Sequence, residues 1–295
     1  MSAYHLLGRI HRLPRPAETS VPPAGATPPR PPWWRPLLEL ILALALMIGL
    51  TAAATGLFYL FEQVAHPEIS AFEDFDAPDH PYLALVTFIG WVAAIPAGFI
   101  AARLTGRNPR ALWSTDLHFR WRHFFAALIP ALIFLGAEGV YKIVSADHSS
   151  ATLTPLNFAA LAVILLLAPL QSISEELFFR GSLVQVTGQW FRWAPVAYAL
   201  PLLFFLSGHH YGWQGMVSVA AFALCASFLT YSTGGLEAAI AVHAVGNSFA
   251  YAPDAFNVDG VNLGAMSVTD AMISVLATVA ATAGAYLLVT RRAVR

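Results

Sequence analysis

Apolar residues come in runs too long for a soluble fold. Eight of these runs, at about 37–61, 82–104, 122–144, 156–189, 194–211, 215–232, 236–252 and 270–290, are each long enough, or nearly so, to cross a hydrocarbon layer about 30 Å thick. Between them lie short polar connections rich in Pro, Gly, Asp and Arg. The pattern predicts an all-α polytopic membrane bundle of about eight transmembrane helices, with no internal repeat and no separate soluble domain. The fourth run is the longest. From 155 to 189 its only interior proline is Pro169, and a continuous helix there would reach on the order of 50 Å, longer than the membrane core.

Composition agrees with that solvent. Hydrophobic residues make up 57% of the 295 and charged residues 11%, against about 25% charged in a typical soluble domain. A net charge of −1 gives no basis for nucleic-acid binding. The single cysteine, Cys225, sits in an apolar run and reads as a packing residue, because one thiol makes neither an internal disulfide nor a cysteine metal site. Residues 1–35 have no apolar core of a signal peptide and read as a Pro/Arg-rich cytoplasmic tail that ends at an interfacial Trp33–Trp34 pair. Residues 36–295 form the bundle.

Charge then orients the spans. Arg9, Arg12, Arg15, Arg30 and Arg35 precede the first run. Arg103, Arg107, Arg110, Arg120 and Arg122 follow the second, Arg192 follows the fourth, and Arg291, Arg292 and Arg295 close the chain. The opposite connections carry Glu62, Glu68, Glu73, Asp74, Asp76, Asp79, Asp147, Asp254 and Asp259. The positive-inside rule places both termini in the cytoplasm, in keeping with an even number of spans. The arginine bias and the abundant alanine suggest a bacterial chain in a cell membrane.

The fourth run carries its own anomaly. Its continuation, "SISEELFFRG", holds Glu175, Glu176 and Arg180 in six residues, at a depth where each ionised side chain costs about 2.5–3.5 kcal/mol. Glu176 and Arg180 are four apart and can pair on one helical face. Glu175 has no such partner in its own helix and is the carboxylate available for acid–base work. If both flanking runs are helical, Glu175 and His209 lie at similar distances from the turn near 190–195, so they meet at one depth. His243 and Asn247, again four apart, present two hydrogen-bonding groups in one direction. A carboxylate–imidazole pair can deprotonate water, and imidazole with amide can stabilise an oxyanion, which points to hydrolysis of a carbonyl compound.

Plainer readings exist. An intramembrane His or Asn is commonly a packing hydrogen bonder, and a Glu–Glu–Arg cluster also suits an ion path. His210 neighbours His209 and is the second candidate for its role; the remaining histidines fall in tails, loops or span ends. Signatures of other membrane hydrolases are missing. The chain has no H-E-x-x-H helix, no Gly two residues before Ser207, and no intramembrane aspartate pair.

Taken together, "EELFFR", "FLSGH" and "HAVGN" resemble, in order and spacing, the E-E-x-x-x-R, F-x-x-x-H and H-x-x-x-N motifs of the CPBP family, the CAAX-processing and bacteriocin-processing (ABI) intramembrane proteases that include the type II CAAX prenyl endopeptidase. The resemblance covers about 155–252. It implies a bundle with a polar cavity open to the cytoplasm, Glu175 and His209 activating water, His243 and Asn247 forming the oxyanion hole, and Glu176 and Arg180 supporting Glu175. The family is labelled both as metalloproteases and as glutamate proteases. We expect no tightly held metal; were zinc used, Glu175, His209 and His243 would be its ligands. The implied partners are the lipid bilayer and a peptide or membrane-protein substrate, lipidated or not. A non-catalytic immunity-type binder or transporter using the same polar cluster is the alternative. Substrate identity and oligomeric state are not encoded in these motifs.

Overall fold

The computed structural model describes residues 32–65, 70, 72, 79–191, 193–258, 264 and 266–291. Most of the N-terminal tail, Glu68, Glu73, Asp74, Asp76, Arg192, Asp259, Arg292 and Arg295 lie outside the described residues. The described chain is helical. Helix α1 is Trp34–Ala65, α2 Pro81–Ala93, α3 Ala97–Leu104, α4 Trp121–Ser145, α5 Pro155–Glu176, α6 Val184–Trp190, α7 Ala194–Ser207, α8 Trp213–Thr233, α9 Glu237–Tyr251 and α10 Val268–Arg291. Six stretches are long and apolar enough to span a membrane: α1, α2 with α3, α4, α5 continued through α6, α8 and α10. The shorter α7 and α9 occupy the two remaining apolar runs. The protein is a multi-pass helical membrane bundle.

Local chemistry explains the element ends. Pro96 separates α2 from α3, since a proline supplies no N–H to an ongoing helix. At the start of α5, Thr154 and Asn157 form a reciprocal cap, with Thr154 N–H donating to Asn157 Oδ1 at 2.8 Å and Pro155 following. Asn157 Nδ2 also donates to the carbonyl of Ala255 at 2.8 Å, tying the entry of α5 to the exit of α9. Helix α8 stops at Gly234, whose φ of 68° is the left-handed conformation that glycine adopts without penalty.

Helix α9 is central, packed among α4, α5, α8 and α10. Small residues make that possible: Ala126, Ala127, Ala131, Ala238, Ala239, Ala241, Ala281 and Ala285 form one buried cluster. Large apolar side chains such as Ile48, Leu57, Leu132, Ile133 and Leu276 face outward, as a lipid-facing surface requires. At the end of the bundle that carries the arginines, buried ion pairs stitch elements together. Arg107 holds Glu39 of α1 at 2.8 Å and also bonds Gln185 of α6, and Arg120 holds Glu237 at the start of α9 at 2.7 Å. Ser114 and Gly235 form an isolated antiparallel bridge, so the α3–α4 connection lies across the α8–α9 turn.

Candidate active site

The long fourth run is unbroken but not uniform. Between α5 and α6, residues Leu177–Leu183 wind as a π-helix, a form often found at functional sites. The segment is wholly buried and carries Arg180 inward. Arg180 Nη1 donates to Glu176 Oε1 at 3.0 Å, and its guanidinium lies 4.2 Å from the ring centre of Phe205 and 5.5 Å from that of Phe222. A cation 1% exposed is thus held by one carboxylate and two aromatic faces.

His243 joins the two glutamates. Its Nδ1 lies 2.8 Å from Glu176 Oε1, and its Nε2 lies 3.5 Å from Glu175 Oε2. A carboxylate only accepts, so Nδ1 carries the hydrogen and Nε2 presents its lone pair in the neutral ring. Asn247 Nδ2 sits 3.1 Å from that Nε2 and donates to Gln171 Oε1 at 2.7 Å, while Gln171 Nε2 donates to Glu175 Oε1. A hydrogen-bonded path therefore runs Glu176, His243, Asn247, Gln171, Glu175. Phe222 covers the His243 ring at 4.4 Å between centres.

His209 arrives differently from what helical counting gives. Helix α7 ends at Ser207, so His209 lies past the helix and its Nδ1 folds back onto the carbonyl of Phe205 at 2.8 Å. The carbonyl accepts from Nδ1–H, so in the neutral ring Nε2 carries the lone pair. Glu175 and His209 line one cavity without a direct hydrogen bond between them; Gln171 donates to Glu175, and His243 Nε2 lies 3.5 Å from it. The count assumed a helix through His209, and the chain breaks at Gly208. Glu175 also has the partner in its own helix that the sequence reading denied it. Gln171 is four residues back, the same i,i+4 rule that paired Glu176 with Arg180. Glu176 in turn touches His243, not Glu175, so its support goes to the imidazole. His210 is exposed and is absent from the cavity wall.

The cavity measures about 200 Å³, below the roughly 300–1,000 Å³ of pockets for drug-sized ligands. It admits waters or a short extended peptide stretch. Beyond the polar path its wall includes Glu138, Lys142, Tyr211, Tyr251 and Asp254, none of them singled out from sequence. Signals for them existed. Tyr251 continues the four-residue stripe of His243 and Asn247, and Glu138 with Lys142 is an i,i+4 ion pair, 2.6 Å apart, in an apolar helix. Burial pushes the Asp254 carboxyl up to about 6 and raises the Tyr211 phenol.

Zinc needs Glu175, His209 and His243 to converge with free lone pairs. Both Nδ1 atoms are bonded, His243 to Glu176 and His209 to a backbone carbonyl, an arrangement that also orients metal-bound imidazoles, and His243 Nε2 lies 3.1 Å from Asn247 Nδ2. Among the described residues no group of three His, Cys, Asp or Glu side chains is placed to hold an ion.

Buried carboxylates, imidazoles and amides around a cavity in a membrane helix bundle are an arrangement that intramembrane enzymes and ion carriers both use. Similarity to known proteins narrows the choice. Residues 156–249 match the family model described as type II CAAX prenyl endopeptidase Rce1-like. The chain is also 24% identical over 230 residues to the uncharacterized protein YyaK of Bacillus subtilis (strain 168), covering 72% of this chain and 76% of that one. No solved structure matches it.

Proposed function

We propose that the protein is an intramembrane endopeptidase that hydrolyses a peptide bond by metal-free, glutamate-activated water. The observation that carries this reading is the convergence of Glu175, His209, His243 and Asn247 on one cavity inside the bundle. The Rce1-like match of residues 156–249 supports the reaction class. Water held by Glu175 and the free Nε2 of His209 attacks the scissile carbonyl carbon as its proton passes to Glu175. The oxyanion takes an N–H of Asn247, displacing either Gln171 Oε1 or His243 Nε2 from that amide. A second N–H comes from His243 when it enters the cycle already protonated at Nε2 by solvent; Glu176 at its Nδ1 stabilises that imidazolium, which keeps its proton throughout. Glu175 then returns its proton to the leaving amine as the C–N bond breaks, giving a carboxylic acid and an amine, between which the acid proton then passes to leave a carboxylate and an ammonium. The substrate is a membrane-associated or lipidated peptide, and the alternate arginines support a multi-pass orientation in a bacterial cell membrane with both termini on the cytoplasmic side.

Purified protein reconstituted in vesicles and incubated with quenched-fluorescent reporter peptides tests the proposal. Turnover is expected from the native chain and not from Glu175→Ala or His209→Ala of equal folded yield. Full activity in both variants would overturn the site assignment. Absence of cleavage across a broad peptide set, with uptake or binding instead, would favour the non-catalytic reading.

A further inference from the structure

The cavity has a closed end and an open end, and they can be told apart. Its wall draws on the halves of the helices nearest the connections 146–154, 208–212 and 252–267: Leu135 to Lys142 of α4, Phe205 with His209 and Tyr211, Ser218 to Phe222 of α8, Val242 to Tyr251 of α9, Asp254, and Ser274 with Thr278 of α10. Burial grades along that axis. Glu175 and His243 are 6% and 5% exposed, whereas Asn247, Tyr211, Tyr251 and Asp254 are partly exposed. Toward the other end the site is sealed. Leu112, Leu177, Leu236 and Ile240 pack beneath it, and below them lie the Ser114–Gly235 bridge and the Arg120–Glu237 pair.

The sealed end bears the connections with Arg103, Arg107, Arg110, Arg120 and Arg122, and the C-terminal Arg291 of α10. The mouth is at the end with Asp147 and Asp254. Two expectations are therefore incompatible: the cytoplasmic position read for the arginines and the cavity open to the cytoplasm that the resemblance implies. The arginine distribution is the physical determinant of insertion, and among the described residues at the open end Lys142 is the one Lys or Arg, paired to Glu138. We infer that the site opens to the extracytoplasmic face, and that its substrate is a peptide segment presented from outside the membrane. The inference rests on the peptidase reading for the word substrate, but the direction of opening stands without it.

Accessibility labelling tests the direction without any activity. In full-length protein with Cys225→Ala, single cysteines are introduced at the mouth (Tyr211→Cys, Asp254→Cys) and at the sealed end (Arg110→Cys, an exposed position). Intact cells are treated with a membrane-impermeant maleimide. The mouth cysteines are expected to label before lysis and Arg110→Cys only after it. The reverse order, or labelling of both ends from one side, overturns the inference. So does silence at both mouth positions after permeabilisation in protein that labels once denatured, because the mouth would then be shut. Intact cells are then offered an impermeant reporter peptide. Outside labelling without Glu175-dependent cleavage would leave the direction standing and remove the peptidase reading.

Discussion

Two adjacent glutamates with different partners make the sharpest residue-scale prediction. Glu175 is held by Gln171 and faces the cavity, whereas Glu176 accepts from both Arg180 and His243. Glu175→Gln keeps the shape and removes the base, so turnover should fall by about 10²–10⁴. Glu176→Gln leaves the Arg180 cation 1% exposed and without its carboxylate, and breaking a buried pair costs about 3–5 kcal/mol. That variant should lose folded yield first and rate second. Kinetics normalised to folded protein check the order, and a deeper rate loss in Glu176→Gln would exchange the two roles. Gln171 offers a further test. Gln171→Ala removes the amide that links Glu175 to Asn247 and should lower kcat with less effect on KM, because it positions both groups without being the base.

At the element scale, the exit of α9 carries Asp254, whose carboxyl is pushed up to about 6 by burial. The folded state keeps this proton longer than the unfolded chain, which releases it near pH 3.9. Stability from this group is therefore full below about pH 4, declines as pH rises toward 6, and stays reduced above that. Asp254→Asn should raise the melting temperature in detergent at pH 7–8 and leave it unchanged near pH 4. A gain of about 1–2 kcal/mol is expected, discounted from the full shift because the carboxyl is partly exposed. The contact of α4 with α9 gives a second test. A Cβ on Gly139 would lie 2.4 Å from the Phe249 ring, so Gly139→Ala forces the ring or the helix to move. A loss of about 1–3 kcal/mol should follow, measured by thermal or denaturant unfolding in detergent.

For the whole molecule, the bundle is tied at the arginine end and graded toward exposure at the other. Metal dependence belongs at this scale because it concerns the assembled site. Protein stripped by a strong chelator and verified metal-depleted should retain full peptidase activity. Loss of activity on stripping, restored by about one equivalent of zinc, would show that the resting arrangement of His209 and His243 rearranges to ligate an ion.

Much of the plan was legible along the chain. Apolar runs longer than a soluble helix needs gave the spans, since lipid demands both length and apolar cover. Glu176 with Arg180, and His243 with Asn247, could be paired from spacing because an α-helix fixes which neighbours share a face. Local geometry stops being predictable where the helix does. The π-helical turn after Glu176 and the break at Gly208 shift directions and heights that a count of residues assumes uniform, so the way His209 reaches the cavity and the partner of Glu176 differ from the count while Glu175 and His209 still share one wall. Which imidazole meets which carboxylate, and which end of the cavity is open, depend on the packing of α4, α5, α7, α8 and α9 around one another. Those contacts join residues far apart in sequence, such as Glu176 and His243, and no local pattern encodes them.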